Sequence, residues 1–285
     1  VSVRKGLNAW SLPGGLAGTL TPEEAIAKAK QYGFESLELT VAPDGVFGLG
    51  TTEARCKEVV KIAEDAGIRL ESVAAGTYWG RALGDVSESA RVGAAEDLKS
   101  LIRITGWLGA KSLLVIPGAV DVFFAPDRPV HPYDEVLRNA QDGLRRAIPE
   151  AEAMNVRMGI ENVWNRFLLS PVEMAHFIDE LDSPFVGSYF DVGNVLPFGY
   201  PDQWLRILKH RVVGIHFKDF RRAVGTAEGF VDLLEGDVDW PAVMAAIEEI
   251  GYDGPVVAEM IPLYKLYPEV RVANTSRAMD AILGR

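Results

Sequence analysis

Two hydrophobic periods alternate along this chain. Short apolar, largely β-branched runs read as buried strands: "GLNAW", "SLELTV", "RLESVAA", "SLLVIPG", "RMGIEN", "VGSYFDV", "VVGIHF" and "PVVAEM". Between them, apolar residues recur every 3.6 positions, the period of an amphipathic helix. "TPEEAIAKAKQYG" predicts the first helix, with Thr21 as N-cap, Pro22 in the first helical position, Glu24 completing a capping box and Gly33 ending it. Its apolar stripe of Ala25, Ile26, Ala29 and Tyr32 is set to lie on a sheet. "SPVEMAHFIDEL" repeats the device, with Ser170 as cap, Pro171 next and Glu173 reaching back. "VDWPAVMAAIEEIG" and "PEVRVANTSRAMDAILG" supply the last two helices.

The pattern therefore gives eight strands, each followed by a helix. Nearly continuous apolar strands imply burial on both faces, as in parallel sheets covered by helices. Eight such units in 285 residues predict an α/β protein built as a single (β/α)8 TIM barrel, with residues 1–285 forming one domain. A doubly wound open sheet is the runner-up. The glycines of "SLPGGLAGTL" lack the G-x-G-x-x-G spacing of a phosphate turn, and no helix starts within them. Two long loops, "GAVDVFFAPDRPVHPYD" after the fourth strand and "IPLYKLYP" after the eighth, are expected to act as lids.

Composition narrows the partners. A formal net charge of −11 argues against nucleic acid, because phosphate backbones require a basic face. No apolar run approaches the roughly 18 residues of a membrane span, and no signal peptide is expected from the first twenty residues. Cys56 is the only cysteine, which excludes an internal disulfide and suits a reducing cytoplasm. In its helical pattern it is expected to pack as a small apolar residue.

The last four predicted strands each end in, or just before, a group able to bind a metal: Glu161, Asp191, His216 and Glu259. In a barrel these strand ends form the active face. An ionised carboxylate is costly to bury unless it is paired or metal-bound, and three close together repel one another. One divalent cation held by three carboxylates and an imidazole would resolve the conflict. Taken singly, each group has an ordinary explanation: a satisfied core histidine, Asp191 capping the turn at Gly193, Glu161 paired with Arg166. Four such groups at the same end of consecutive strands favour the metal site. Carboxylates suit Mn2+ or Mg2+, and one imidazole admits Zn2+, Co2+ or Fe2+.

"GIENVWNRFLLSP", "YFDVGN", "GIHFKDF" and "GYDGPVVAEM" resemble the strand-end motifs of the xylose-isomerase-like sugar phosphate isomerase/epimerase superfamily, and the similarity spans essentially the whole chain. Its ketose 3-epimerase, pentulose-5-phosphate 3-epimerase and hexulose-phosphate isomerase branches are the nearest. The resemblance implies a cytoplasmic, metal-dependent enzyme of carbohydrate metabolism, assembled as a homodimer or homotetramer, with one ion (Mn2+ first) on Glu161, Asp191, His216 and Glu259. It also implies that Glu161 and Glu259 exchange protons with the sugar carbon from opposite faces, through an enediolate stabilised by the metal. The substrate is then a sugar or sugar phosphate whose oxygens Arg222 would hold; Arg221 or Lys218 could bind a phosphate, and Asn194, Trp164 and Trp10 are further candidate contacts from their positions. The chain departs from the free-sugar epimerases at two positions. Asn194 stands where they tend to have histidine, and Leu168 lies near where they have a second glutamate, which leans toward a phosphorylated or otherwise different polyol. The alternative activity is dehydration of an inosose-type keto-polyol on the same barrel. Trp79 is a further candidate wall, and Glu38, inside the second strand, is expected to support the site or to form a structural ion pair.

Overall fold

The computed structural model describes residues 3–285. Its strands are β1 (Arg4–Asn8), β2 (Ser36–Val41), β3 (Arg69–Ala75), β4 (Ser112–Val115), β5 (Arg157–Glu161), β6 (Val186–Asp191), β7 (Val212–Phe217), β8 (Asp219–Phe220), β9 (Phe230–Val231) and β10 (Pro255–Ala258). All except β8 and β9 close into one parallel barrel, in the order β1-β10-β7-β6-β5-β4-β3-β2. The short pair β8–β9 is an antiparallel ribbon that the hydrophobic pattern did not announce; it sits in the connection after β7. Among the described residues, eight α-helices surround the barrel: α1 (Pro22–Gln31), α2 (Glu53–Ala66), α3 (Glu88–Trp107), α4 (Tyr133–Met154), α5 (Pro171–Asp179), α6 (Pro201–Leu208), α7 (Trp240–Glu249) and α8 (Pro268–Ile282). Among the described residues, no helix is long and apolar enough to cross a membrane.

Local sequence accounts for where the helices begin. Thr21 accepts from the Glu24 amide while the Glu24 side chain accepts from the Thr21 amide, so the capping box before α1 is complete. At α5 the device is only half formed. Ser170 accepts from the Glu173 amide, but the Glu173 carboxylate turns to the Leu169 amide and the Tyr133 hydroxyl. Cys56 is fully buried in α2, and burial pushes its thiol up to about 11, which keeps it an inert packing residue.

Register delivers the site. Asp191 of β6 lies beside His216 of β7, Glu161 of β5 beside Tyr189 of β6, and Asn8 of β1 beside Glu38 of β2. The ladder shifts register at Leu37/Glu38 and again at Ser188/Tyr189, and such irregularities re-aim side chains. Glu38 and Tyr189, each just past a shift, meet inside the barrel through a hydrogen bond from the Tyr189 hydroxyl. Room for that ring comes from glycine. A Cβ on Gly214 would lie 2.4 Å from Tyr189 Cε2, and one on Gly159 would lie 2.9 Å from Tyr189 Cβ.

Candidate metal centre

Glu161, Asp191, His216 and Glu259 converge at the C-terminal end of the barrel. Each offers one ligand atom, and these atoms all lie within 4.8 Å of one another. His216 Nδ1 stands 3.5 Å from Glu161 Oε1, 3.6 Å from Glu259 Oε2 and 3.9 Å from Asp191 Oδ2. All four side chains are buried. His216 Nδ1, Asp191 Oδ2 and Glu259 Oε2 have no hydrogen-bond partner although no solvent reaches them. Among the described residues, Lys218 Nζ is the one cation beside the two carboxylate oxygens, and it leaves His216 Nδ1 without a partner, so three converging carboxylates and one imidazole fit a divalent cation with hard oxygen donors and one nitrogen. The ordinary readings fare unequally. Asp191 does cap its turn, because Oδ1 accepts from the Asn194 amide at 2.8 Å, while its other oxygen faces Lys218 Nζ at 3.1 Å and the cluster. Arg166 pairs with Asp121 at 3.1 Å rather than with Glu161.

A second layer fixes the imidazole. His216 Nε2 lies 2.7 Å from Glu38 Oε1, which also accepts from Asn8 Nδ2 at 2.6 Å; the other Glu38 oxygen accepts from Tyr189. With Nε2–H donating to Glu38, the Nδ1 lone pair is the one aimed at the acidic cluster. Burial opposes the charge on Glu38, yet His216, Tyr189 and Ser72 together hold its pKa below the usual value. Asn162 clamps Asp191 from both sides: its Oδ1 accepts from the Asp191 amide at 2.9 Å and its Nδ2 donates to the Asp191 carbonyl at 2.8 Å. Asn8, Asn162 and Tyr189 went unnoticed in the sequence. The signal that found the acids, a polar group where an apolar run ends, also marks the two asparagines.

The cluster's electrostatics reflect crowding of like charges. Burial, followed by repulsion from Glu259, lifts Glu161 to about 7 against the pull of His216 and Lys218. Burial likewise raises Asp191, outweighing Lys218 and His216. On His216 burial works the other way, but Glu38 and Glu259 overcome it and leave the ring pKa well above the usual histidine value.

Of the residues expected to contact substrate, two meet the metal-site acids in one cavity. A cleft of about 360 Å³ opens above the cluster, lined by Glu161, Glu259, Trp10, Trp79 and Lys218 among others. Lys218 Nζ pairs with Glu259 and lies 3.1 Å from Asp191 Oδ2. The structure does not bring the other expected contacts to that lining. Trp164 donates to the Asn194 carbonyl and packs edge-on to Phe220, while the Asn194 amide group donates to the Asn162 carbonyl. Arg221 holds the Glu235 carbonyl at 2.9 Å. Arg222 lies over the Tyr200 ring at 4.6 Å and donates to the Gly199 carbonyl at 3.1 Å. These exposed arginines follow the β8 turn outward, which residue spacing alone could not reveal. Leu168 is buried in the apolar core.

The description "xylose isomerase-like TIM barrel" is that of the family whose model matches residues 26–279, and the chain belongs to that family. SgbU of Escherichia coli (strain K12), provisionally named an L-ribulose-5-phosphate 3-epimerase, is 25% identical over 274 residues, covering 93% of each chain. UlaE of the same strain, named L-ribulose-5-phosphate 3-epimerase, is 23% identical over 266 residues, covering 92% of this chain and 89% of its own. Among solved structures, the IOLI protein, crystallised with a zinc atom, has a TM-score of 0.79 at 15% identity over 99% of this chain and 98% of its own, a likeness of fold. Family and relatives together make the protein an enzyme.

Proposed function

We propose that the protein is a divalent-metal-dependent epimerase or isomerase of a ketose or ketose phosphate, with Glu161 and Glu259 as its acid/base pair. The observation that carries this reading is the convergence of three buried carboxylates and one imidazole, with ligand atoms of Glu161, Asp191, His216 and Glu259 all within 4.8 Å of one another. The names of SgbU and UlaE support the reaction class. The carboxylates favour Mn2+, and the zinc atom of the IOLI structure keeps Zn2+ among the candidates. When bound, the ion would polarise the substrate carbonyl and offset negative charge on its oxygen.

The remaining chemistry belongs to the side chains. Glu161 and Glu259 both face the cavity that admits substrate. One carboxylate takes the proton from the carbon beside the carbonyl, and the other carboxyl group returns a proton to that carbon. Lys218 would hold a substrate oxygen, since its ammonium reaches the cavity beside Glu259. Trp10 and Trp79 would wall the sugar. The test is incubation of the Mn2+-loaded protein with a panel of ketoses and ketose phosphates in D2O. Deuterium should enter the carbon beside the carbonyl, and Glu161→Gln or Glu259→Gln should stop it. Absence of exchange with every ketose tried would refute the reading.

A further inference from the structure

Within that proposed reaction, the walls of the cavity discriminate between phosphorylated and unphosphorylated ketoses. Resting on the reading above, we infer that the natural substrate carries no phosphate and bears an apolar, preferably aromatic, substituent at the end remote from the acidic cluster. A phosphate brings about two negative charges at neutral pH and is ordinarily met by arginine, lysine or a nest of amides. Among the described residues, the only cation lining the cavity is Lys218, and its ammonium already lies between Glu259 and Asp191.

None of Arg221, Arg222, Arg128 and Arg271 lines the cavity. Arg221 and Arg222 hold the Glu235 and Gly199 carbonyls, Arg128 donates to the Trp79 carbonyl at 2.9 Å, and Arg271 pairs with Asp232 at 2.7 Å. The rest of the wall is mainly apolar, with Trp10, Leu16, Trp79, Ile116, Val163 and Ile261 contributing. From Trp79, which lines the cavity, an arch of aromatic rings runs to Trp164. Trp79 packs edge-on to Phe124 at 5.0 Å between centroids, Phe124 to Phe123 at 5.2 Å, and Phe123 to Trp164 at 5.7 Å. The arch joins the loops after β3, β4 and β5, yet Phe123 and Phe124 remain 55% and 52% exposed and Leu16 57%. Apolar surface left open beside a cavity marks a place for an apolar ligand.

Three probes with the same reactive end separate the possibilities: L-ribulose, L-ribulose 5-phosphate and 5-O-benzyl-L-ribulose. Their Kd values on the Mn2+-loaded full chain are read by calorimetry. The benzyl ether should bind roughly tenfold more tightly than L-ribulose, the scale of one added aromatic contact, and the phosphate more weakly than L-ribulose. Phe124→Ala, at a half-exposed position, should remove most of the benzyl advantage. A phosphate ester that binds more tightly than L-ribulose would overturn the inference, as would a benzyl ether with no advantage. Solvent deuterium exchange, followed on the same samples, keeps the two claims apart. Exchange that persists while the phosphate is preferred sinks only this inference; no exchange with any probe sinks the proposed reaction as well.

Discussion

The two ends of the barrel treat charge in opposite ways. At the N-terminal end, opposite charges meet in pairs: Arg4 Nε sits 2.9 Å from both Glu71 oxygens, Lys5 lies 2.5 Å from Asp280, and Arg285 lies 2.5 Å from Glu35. At the C-terminal end four buried carboxylates, Glu38, Glu161, Asp191 and Glu259, face one lysine and one imidazole. Even with both of those bases protonated, positive charge falls short. The first arrangement holds the ends of the chain to the barrel and needs nothing from outside. The second is stable only with protons or with a cation, which makes it a place for chemistry.

Removing one charge at the crowded end should have the largest effect. Glu161→Gln or Glu259→Gln should slow isotope exchange by about 10²- to 10⁴-fold, the usual contribution of a positioned acid or base, while circular dichroism stays unchanged. A smaller effect follows from loosening the support. Glu38→Gln leaves all four ligands in place but weakens the acceptor that orients His216, so Mn2+ affinity in a titration should fall about 10- to 100-fold.

The contrast also has a pH signature. In the metal-free protein, burial raises Glu161 from 4.5 to about 7, so between those values the folded state keeps a proton that the unfolded chain has lost. The stability from this group is fully present below pH 4.5 and falls as pH rises toward 7, with a limiting slope of about 1.4 kcal/mol per pH unit. Asp191 is shifted in the same direction, and saturating Mn2+ should flatten the fall. Denaturant melts at several pH values, with and without Mn2+, read it. The smallest effect belongs to the other end. Arg4→Met breaks a pair whose side chains are 22% and 20% exposed, so it should cost no more than about 1 kcal/mol and leave Mn2+ affinity unchanged.

What the sequence disclosed follows from where polarity interrupts a period. Glu161, Asp191, His216 and Glu259 each break an apolar strand at its end, and parallel β/α topology then leaves only one end for them to share. Thr21, Pro22 and Glu24 announce α1 because capping is a short-range interaction. Partnerships across the barrel leave no such trace. Glu38 meets His216 across 178 positions and Tyr189 across 151, and nothing in "SLELTV" says which strands closure will bring near. The same holds for Lys218 between Asp191 and Glu259, and for Arg222, which the family resemblance points toward substrate and which lies over the Tyr200 ring. Glu173 shows the limit even for short motifs: its carboxylate accepts from the Leu169 amide through one oxygen and from Tyr133 of another helix through the other, not from the Ser170 amide.

Anomalous diffraction from crystals soaked in Mn2+ tests the shared ion most directly. One peak per chain is expected, bounded by Glu161, Asp191, His216 Nδ1 and Glu259, and it should vanish in Asp191→Asn. A cluster that stays free of anomalous density at saturating Mn2+, or a peak that the substitution leaves untouched, would contradict the account.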